Sequence, residues 1–306
     1  MKTVDRESDK TSSAFDGQAF SAKCMGQCVH PIFAQAGAAV VLGVTSNGVF
    51  LQHQSGQVCF VSGEVFHGPI TINLERMINF KAGFALGEKC QILSDRLDCP
   101  RCQILIRSGT PIWAHHPIRF KKRGLSQAVL RGIDLARHLI RQYEEGLFFP
   151  FLDKLLRYST EMDTENIREL IPGLTGKGNF VERLPGLLGL GNGLTPAGDD
   201  FLCGFLLARY YLNQMDKIPG NPTDISKKVT AMAPKKTTAL SAALIRCAAQ
   251  GAGDERVLNA LRWIAEAEGE IKKISEELLS YGSSSGVDTL SGMLAALLPQ
   301  QAKLFW

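Results

Sequence analysis

Gly189-Leu190-Gly191-Asn192-Gly193-Leu194-Thr195-Pro196-Ala197-Gly198-Asp199-Asp200-Phe201-Leu202-Cys203-Gly204 is the densest stretch of the chain. It reads as a glycine loop running into a helix. Thr195 suits the N-cap and Pro196 the first helical position, where its missing N–H costs nothing. Asp199 and Asp200 fall in or just past the first turn, where acids complement the helix dipole. Phe201, Leu202, Phe205, Leu206 and Leu212 then supply buried faces, so the helix is expected over 197–214. A second segment echoes the first at a constant offset of 88: Gly198, Asp200, Leu202, Gly204, Leu206 and Ala208 match Gly286, Asp288, Leu290, Gly292, Leu294 and Ala296. Asp and Gly four residues apart share one helix face, and the glycine leaves room for a close neighbour. The two helices are expected side by side with both N-termini at one end, so that Asp200 and Asp288 approach each other.

Outward from this pair the helical period dominates everything after residue 120. Leu125, Val129, Ile133, Ala136, Ile140 and Tyr143 form one stripe between a start at Gly124 or Ser126 and a stop at Gly146. Further helices are expected at 151–158, 164–170, 238–249, 254–265, 268–280 and 287–298. The segment Pro172–Gly193 holds nine glycines and prolines in 22 residues, too many for a plain connector. Before residue 120 short β-like runs prevail: 38–44, 49–54, 57–62, 70–74, 89–93 and 103–107, broken by turn signals such as Asn47-Gly48. The fold class is therefore α+β, with a β-rich N-terminal part, an antiparallel sheet or small barrel, before a mainly helical C-terminal part. The expected organisation is a polar tail at 1–20, a β-rich domain at 21–120 and a helical domain at 121–306.

Composition bounds the function. The 306 residues are 45% hydrophobic and 21% charged, with net charge +4. That supports a packed core and gives no basic excess pointing to nucleic acid. No apolar run reaches the ~20 residues of a membrane span, and the polar N-terminus lacks a signal core, so a cytoplasmic protein is expected.

A glycine loop before a helix start presents free N–H groups, a ready site for phosphate or carboxylate. It is neither a nucleotide phosphate loop, since no Gly-Lys-Ser/Thr follows, nor the dinucleotide fingerprint, whose spacing differs. The residues expected to bind an anion are Gly191, Asn192, Gly193, Thr195 and Gly198. Thr237 and Thr238, from a small-residue helix, and Ser284, Ser285 and Gly286, from the second helix start, complete the set. Asp199, Asp200 and Asp288 are the candidate catalytic acids. Two carboxylates at one buried site need a proton, an arginine or a cation between them. Mg²⁺ on Asp200 and Asp288 suits a phosphate ligand. Helix capping and tight packing account for the same Asp and Gly residues without any ligand. Arg183, Arg209 and Arg246 could clamp an anion or serve as surface charge. Cys99-Pro100-Arg101-Cys102 is a lone CxxC, and Cys24 and Cys28 lie too far off in sequence to argue for zinc with it.

The blocks at 189–204, 237–251 (Thr-Thr-Ala-Leu-Ser-Ala-Ala-Leu-Ile-Arg-Cys-Ala-Ala-Gln-Gly) and 282–297 (Gly-Ser-Ser-Ser-Gly-Val-Asp-Thr-Leu-Ser-Gly-Met-Leu-Ala-Ala-Leu) resemble the signature blocks of a family that includes the AllH-type subunit of oxamate carbamoyltransferase, from anaerobic allantoin degradation. The resemblance implies phosphorolysis of oxalurate to oxamate and carbamoyl phosphate, in a complex with other carbamoyltransferase subunits. The alternatives are a non-catalytic subunit that binds a partner or senses a small anion, and a Mg²⁺-dependent hydrolase of a small anionic substrate.

Overall fold

The computed structural model describes residues 17–142, 146–158, 180–215 and 222–302. The helix expected at 164–170, Tyr143 and the first part of the glycine-rich segment lie outside them. The chain divides into two compact units, Met1–Ala114 and His115–Trp306.

In the first unit, strands β1 (Gln18–Gly26), β2 (Gly37–Val44), β3 (Gly48–His53), β4 (Val58–Ser62), β5 (Thr71–Leu74), β6 (Lys89–Ile92), β7 (Arg96–Asp98), β8 (Cys102–Leu105) and β9 (Ile112–Trp113) form one sheet. Its order is β5-β4-β3-β2-β6-β7-β8-β1-β9, and β5 also pairs with β1. Eight strands therefore close into a barrel, with β9 added beside β1. Alternation drives this. In β2, β6 and β8 every second residue is buried, so one face of each strand fills the interior. One-turn helices α1 (His30–Phe33) and α2 (Phe80–Gly83) occupy two of the connections.

The small barrel is thus realised, but it is not wholly antiparallel: β4–β5, β1–β8 and β1–β9 are parallel. The closing strand, β1, begins inside the stretch expected as a polar tail. Its first two residues are exposed, and Phe20, Ala22, Cys24, Met25 and Gly26 then turn apolar side chains or bare backbone inward.

The second unit is helical: α3 (Leu125–Ile140), α4 (Phe149–Tyr158), α5 (Phe180–Arg183), α6 (Ala197–Asn213), α7 (Pro222–Lys236), α8 (Ala239–Ala249), α9 (Glu255–Glu266), α10 (Ile271–Leu279) and α11 (Ser285–Ala302). Gly124 caps α3, which stops at Ile140, before the expected Gly146. Helix α7 escapes a reading for long apolar runs, yet Ile225, Val229 and Ala233 give it a buried stripe at a spacing of four.

Helices α6 and α11 form the centre and are buried on nearly all sides, unlike the amphipathic helices around them. Their contact is made by bare backbone. A Cβ at Gly204 would lie 1.9 Å from the Thr289 carbonyl oxygen, and a Cβ at Gly292 would lie 1.9 Å from the Phe201 carbonyl oxygen. Thr289 is the 88-residue counterpart of Phe201, and Gly292 that of Gly204. The sequence echo is therefore a mutual contact: each glycine rests on the residue equivalent to the one its counterpart rests on. Gly198 and Gly286 extend the correspondence, since a Cβ there would meet the carbonyl oxygens of Leu187 (2.1 Å) and Leu278 (2.2 Å).

Replacing Gly204 or Gly292 with Ala forces these backbones apart. Each variant is expected to lose about 1–3 kcal/mol of stability despite alanine's better helix propensity. Urea unfolding of the full chain beside Gly186→Ala, where a Cβ meets nothing within 4 Å, measures it.

Candidate functional site

The helix pair sets the site. Asp200 has the Ser285 hydroxyl beside it, and Gly204 faces Thr289. A step of four along α6 matches a step of four along α11 in the same sense. The helices therefore run parallel, with both N-termini at one end.

The loop before α6 is built from left-handed glycines, with φ of 74° at Gly189, 111° at Gly191 and 96° at Gly193. These φ values suit residues without a Cβ. Close approach adds a second demand: a Cβ at Gly189 would lie 2.4 Å from the Lys236 carbonyl oxygen, and one at Gly191 2.9 Å from the Ala197 nitrogen. Gly191, Asn192, Gly193 and Leu194 are exposed, and Thr195 is half-buried.

Two expectations shift here. Pro196, not Thr195, is the N-cap of α6, and no side chain caps this helix. The Pro ring fixes φ, so extended ψ at Pro196 suffices to start the helix, and the Thr195 hydroxyl is turned to Asp200 instead. The Gly198 N–H, expected to face an anion, donates to the Leu190 carbonyl at 2.8 Å and folds the loop onto the helix. The exposed amides left for a ligand are those of the loop's outer arc, 191–194.

Asp199 holds this arc. Buried (1% exposed), it accepts from the Gly189 N–H at 2.9 Å and from the Thr237 hydroxyl. Thr238 caps α8, accepting from the Ser241 N–H, and donates its hydroxyl to the Leu194 carbonyl at 2.7 Å. The start of α8 is thus fastened to both ends of the glycine loop. Thr237 and Thr238 shape the loop through these bonds, and Asp199 is a positioning residue. Burial pushes the Asp199 carboxyl up, against its donors.

Asp200 and Asp288 lie deeper, at 2% and 0% exposure. Burial raises Asp200 to about 8, helped by the charges of Asp288 and Asp199 and opposed by the Ser285 and Thr195 hydroxyls. Burial likewise raises Asp288 to about 6, against the Phe148 N–H and the Ser284 hydroxyl. Asp288 Oδ1 accepts from Phe148 N at 3.2 Å. The second oxygen of each carboxyl, Asp200 Oδ2 and Asp288 Oδ2, is buried and has no hydrogen-bond partner among the described residues. A buried, unpaired carboxyl oxygen is costly unless it carries a proton or meets a ligand.

Two contributors were not legible in the sequence. Residues 146–148 reach the start of α11: a Cβ at Gly146, φ 122°, would sit 3.3 Å from Asp288 Oδ1, and the Phe148 ring stacks on Phe201 at 4.6 Å. Gly146 looks only like a helix stop in sequence. Tyr281 is the other, its phenol held above its ordinary range by burial and the nearby carboxyls of Asp254 and Asp200. Of the three arginines considered as clamps, Arg209 lies ~18 Å along α6 from its start and Arg246 falls in the last turn of α8, so neither belongs to the helix starts. Among the described residues no group of three or more His, Cys, Asp and Glu is placed to hold a metal ion. No described helix is long and apolar enough to cross a membrane.

Comparison with known families now bears on this geometry. Residues 187–297 match the family described as oxamate carbamoyltransferase subunit AllH. The matched span runs from the glycine loop through α6 to most of α11, and it holds all three blocks on which the resemblance rests. The matched segment is thus the paired-helix assembly itself, and the family it resembles is named for a subunit of an enzyme. No solved structure matches the chain.

The acids give a pH signature. The unfolded carboxyls ionise near their ordinary values, whereas folded Asp200 keeps its proton to about 8 and folded Asp288 to about 6. Below the unfolded values both states are protonated and stability is at its full value. As pH rises toward 8 only the folded state holds the protons, so stability falls. Urea midpoints should drop from pH 5 to pH 8 in the unaltered protein and drop less in Asp200→Asn.

Proposed function

We propose that the chain is an AllH-type subunit of a carbamoyltransferase that phosphorolyses oxalurate to oxamate and carbamoyl phosphate, with the site at the joined starts of α6 and α11. What carries this reading is one arrangement: an exposed glycine arc at 191–194 beside two parallel helix starts, with two buried acids whose second oxygens have no partner among the described residues. The family match supports the enzyme class.

The chemistry asks for what this arrangement offers. Phosphate attacks the carbamoyl carbon, the bond to the oxamate nitrogen breaks, and that nitrogen must gain a proton. A carboxyl protonated at neutral pH, such as Asp200, is a suitable donor. Loop amides and the helix dipoles of α6 and α11 favour the phosphate and the substrate carboxylate, and can stabilise charge on the carbonyl oxygen. The Thr195, Ser284 and Ser285 hydroxyls complete the polar lining, while Gly286, inside α11, packs against the Leu278 carbonyl. Asp288, more acidic than Asp200, stays largely ionised at neutral pH and orients its neighbours. Asp200 and Asp288 would be the residues to hold a Mg²⁺ ion here, and such an ion would supply positive charge to the anion. The chain's eight free cysteines fit a reducing, cytoplasmic setting.

A non-catalytic subunit is the second reading, and the near-complete burial of both acids favours it: they would then be an internal pair that supports assembly. Asp200→Asn keeps the shape and a donor but cannot release a proton. In the complex reconstituted with its partner subunits, it is expected to lower kcat by about 10²–10⁴-fold with assembly by size exclusion unchanged. Unchanged turnover would leave only the assembly role. Hydrolysis of the substrate by the isolated chain with Mg²⁺ would instead favour the hydrolase.

A further inference from the structure

The barrel carries side chains that the function above does not use. Strands β6 and β8 share a tetrapeptide, Cys-Gln-Ile-Leu, at 90–93 and at 102–105. Strand β7 lies between them in the sheet. Its register pairs Asp98 with Gln91 on one side and with Gln103 on the other. One step further along, Cys99 falls opposite Cys90 and opposite Cys102. The Cys99 N–H donates to the Cys102 carbonyl at 2.9 Å, closing the turn at Pro100-Arg101. Alternation sets the face: Cys90 and Ile92, Leu97, and Cys102 and Ile104 are buried, while Gln91 and Gln103 are exposed. Cys99, two residues beyond Leu97, shares that inward face. Three thiols thus stand in a row across three neighbouring strands. Cys90 and Cys102 are buried, and Cys99 is partly open to solvent.

We propose that Cys99 and Cys102 are a thiol–disulfide exchange site, oxidised reversibly by a small-molecule disulfide. Directly opposed residues of an antiparallel pair lie ~4.5–5.5 Å apart at Cα, within the span of a disulfide. The two-residue turn keeps the sulfurs together at almost no loop-closure cost, which favours Cys102 over Cys90 as partner. The partly open Cys99 sulfur attacks one sulfur of the small disulfide as it gives up its proton. That S–S bond breaks, one small thiol leaves with the proton, and a mixed disulfide remains on Cys99. The Cys102 sulfur then attacks Cys99 Sγ and expels the second small thiol, which takes the Cys102 proton. Two protein thiols are oxidised and one small disulfide is reduced to two thiols. Hydrogen bonds to Cys102 and Cys90, with burial, hold the Cys99 thiol above the ordinary range, while the same bond from Cys99 holds Cys102 below it, so one proton lies between the paired sulfurs. By contrast, burial pushes Cys59, beside Cys90, up to about 12 and keeps it inert.

Trypsin makes the test direct, because Arg101 separates the two sulfurs. Full-length protein is incubated with oxidised glutathione, its free thiols are alkylated, and it is digested without reductant. The expected product is the peptide Leu97–Arg101 joined to Cys102–Arg107, lost on reduction and absent from Cys99→Ser. Cys102→Ser should instead keep glutathione on Cys99. Both peptides recovered free and alkylated would overturn the proposal. So would Leu97–Arg101 joined to Cys90–Arg96, or glutathione on other cysteines with none on Cys99.

Discussion

The close approach of α6 and α11 is the constraint on which the helical unit rests. Two helices can bring backbone to backbone only where neither carries a side chain, and Gly204 and Gly292 supply that opening from both sides. The approach excludes water from the helix starts, and this exclusion buries Asp200 and Asp288. Their raised affinity for protons is therefore a consequence of two absent methyl groups one turn away. Packing and acid–base chemistry are one fact here seen at two scales.

A second constraint runs through Asp199. The glycine arc has no buried side chain to fix it, and two of its four residues, Gly191 and Gly193, take left-handed backbone. A flexible arc would bind an anion poorly, because ordering it would cost entropy on each binding. The Asp199 carboxyl prevents that by holding the Gly189 N–H and the Thr237 hydroxyl at once, while Thr238 holds Leu194. The neighbouring acids Asp199 and Asp200 thus face different tasks. One is saturated by donors and shapes the loop, and the other keeps an oxygen unpaired.

The barrel follows a different rule. Its closure depends on β1, which bridges β5 and β8. Because β6, β7 and β8 are short and tightly connected, register alone lines up Cys90, Cys99 and Cys102. A cysteine pair three residues apart carries little meaning as a spacing. In the sheet it becomes the middle and edge of a row.

The sequence by itself determined the α+β division, most strands and helices, the 88-residue echo and the AllH-type blocks, because these are written in local period, turn residues and local repetition. It marked the acids and the glycine loop for the same reason. Only the tertiary structure decided which acid is tied up and which is not. The same holds for the unused carboxyl oxygens, the arrival of Gly146 and Phe148 at Asp288, and the closing of the barrel by β1. Each of these depends on groups far apart in the chain meeting at a few ångströms, and neither a residue's type nor its neighbours in sequence encode that distance.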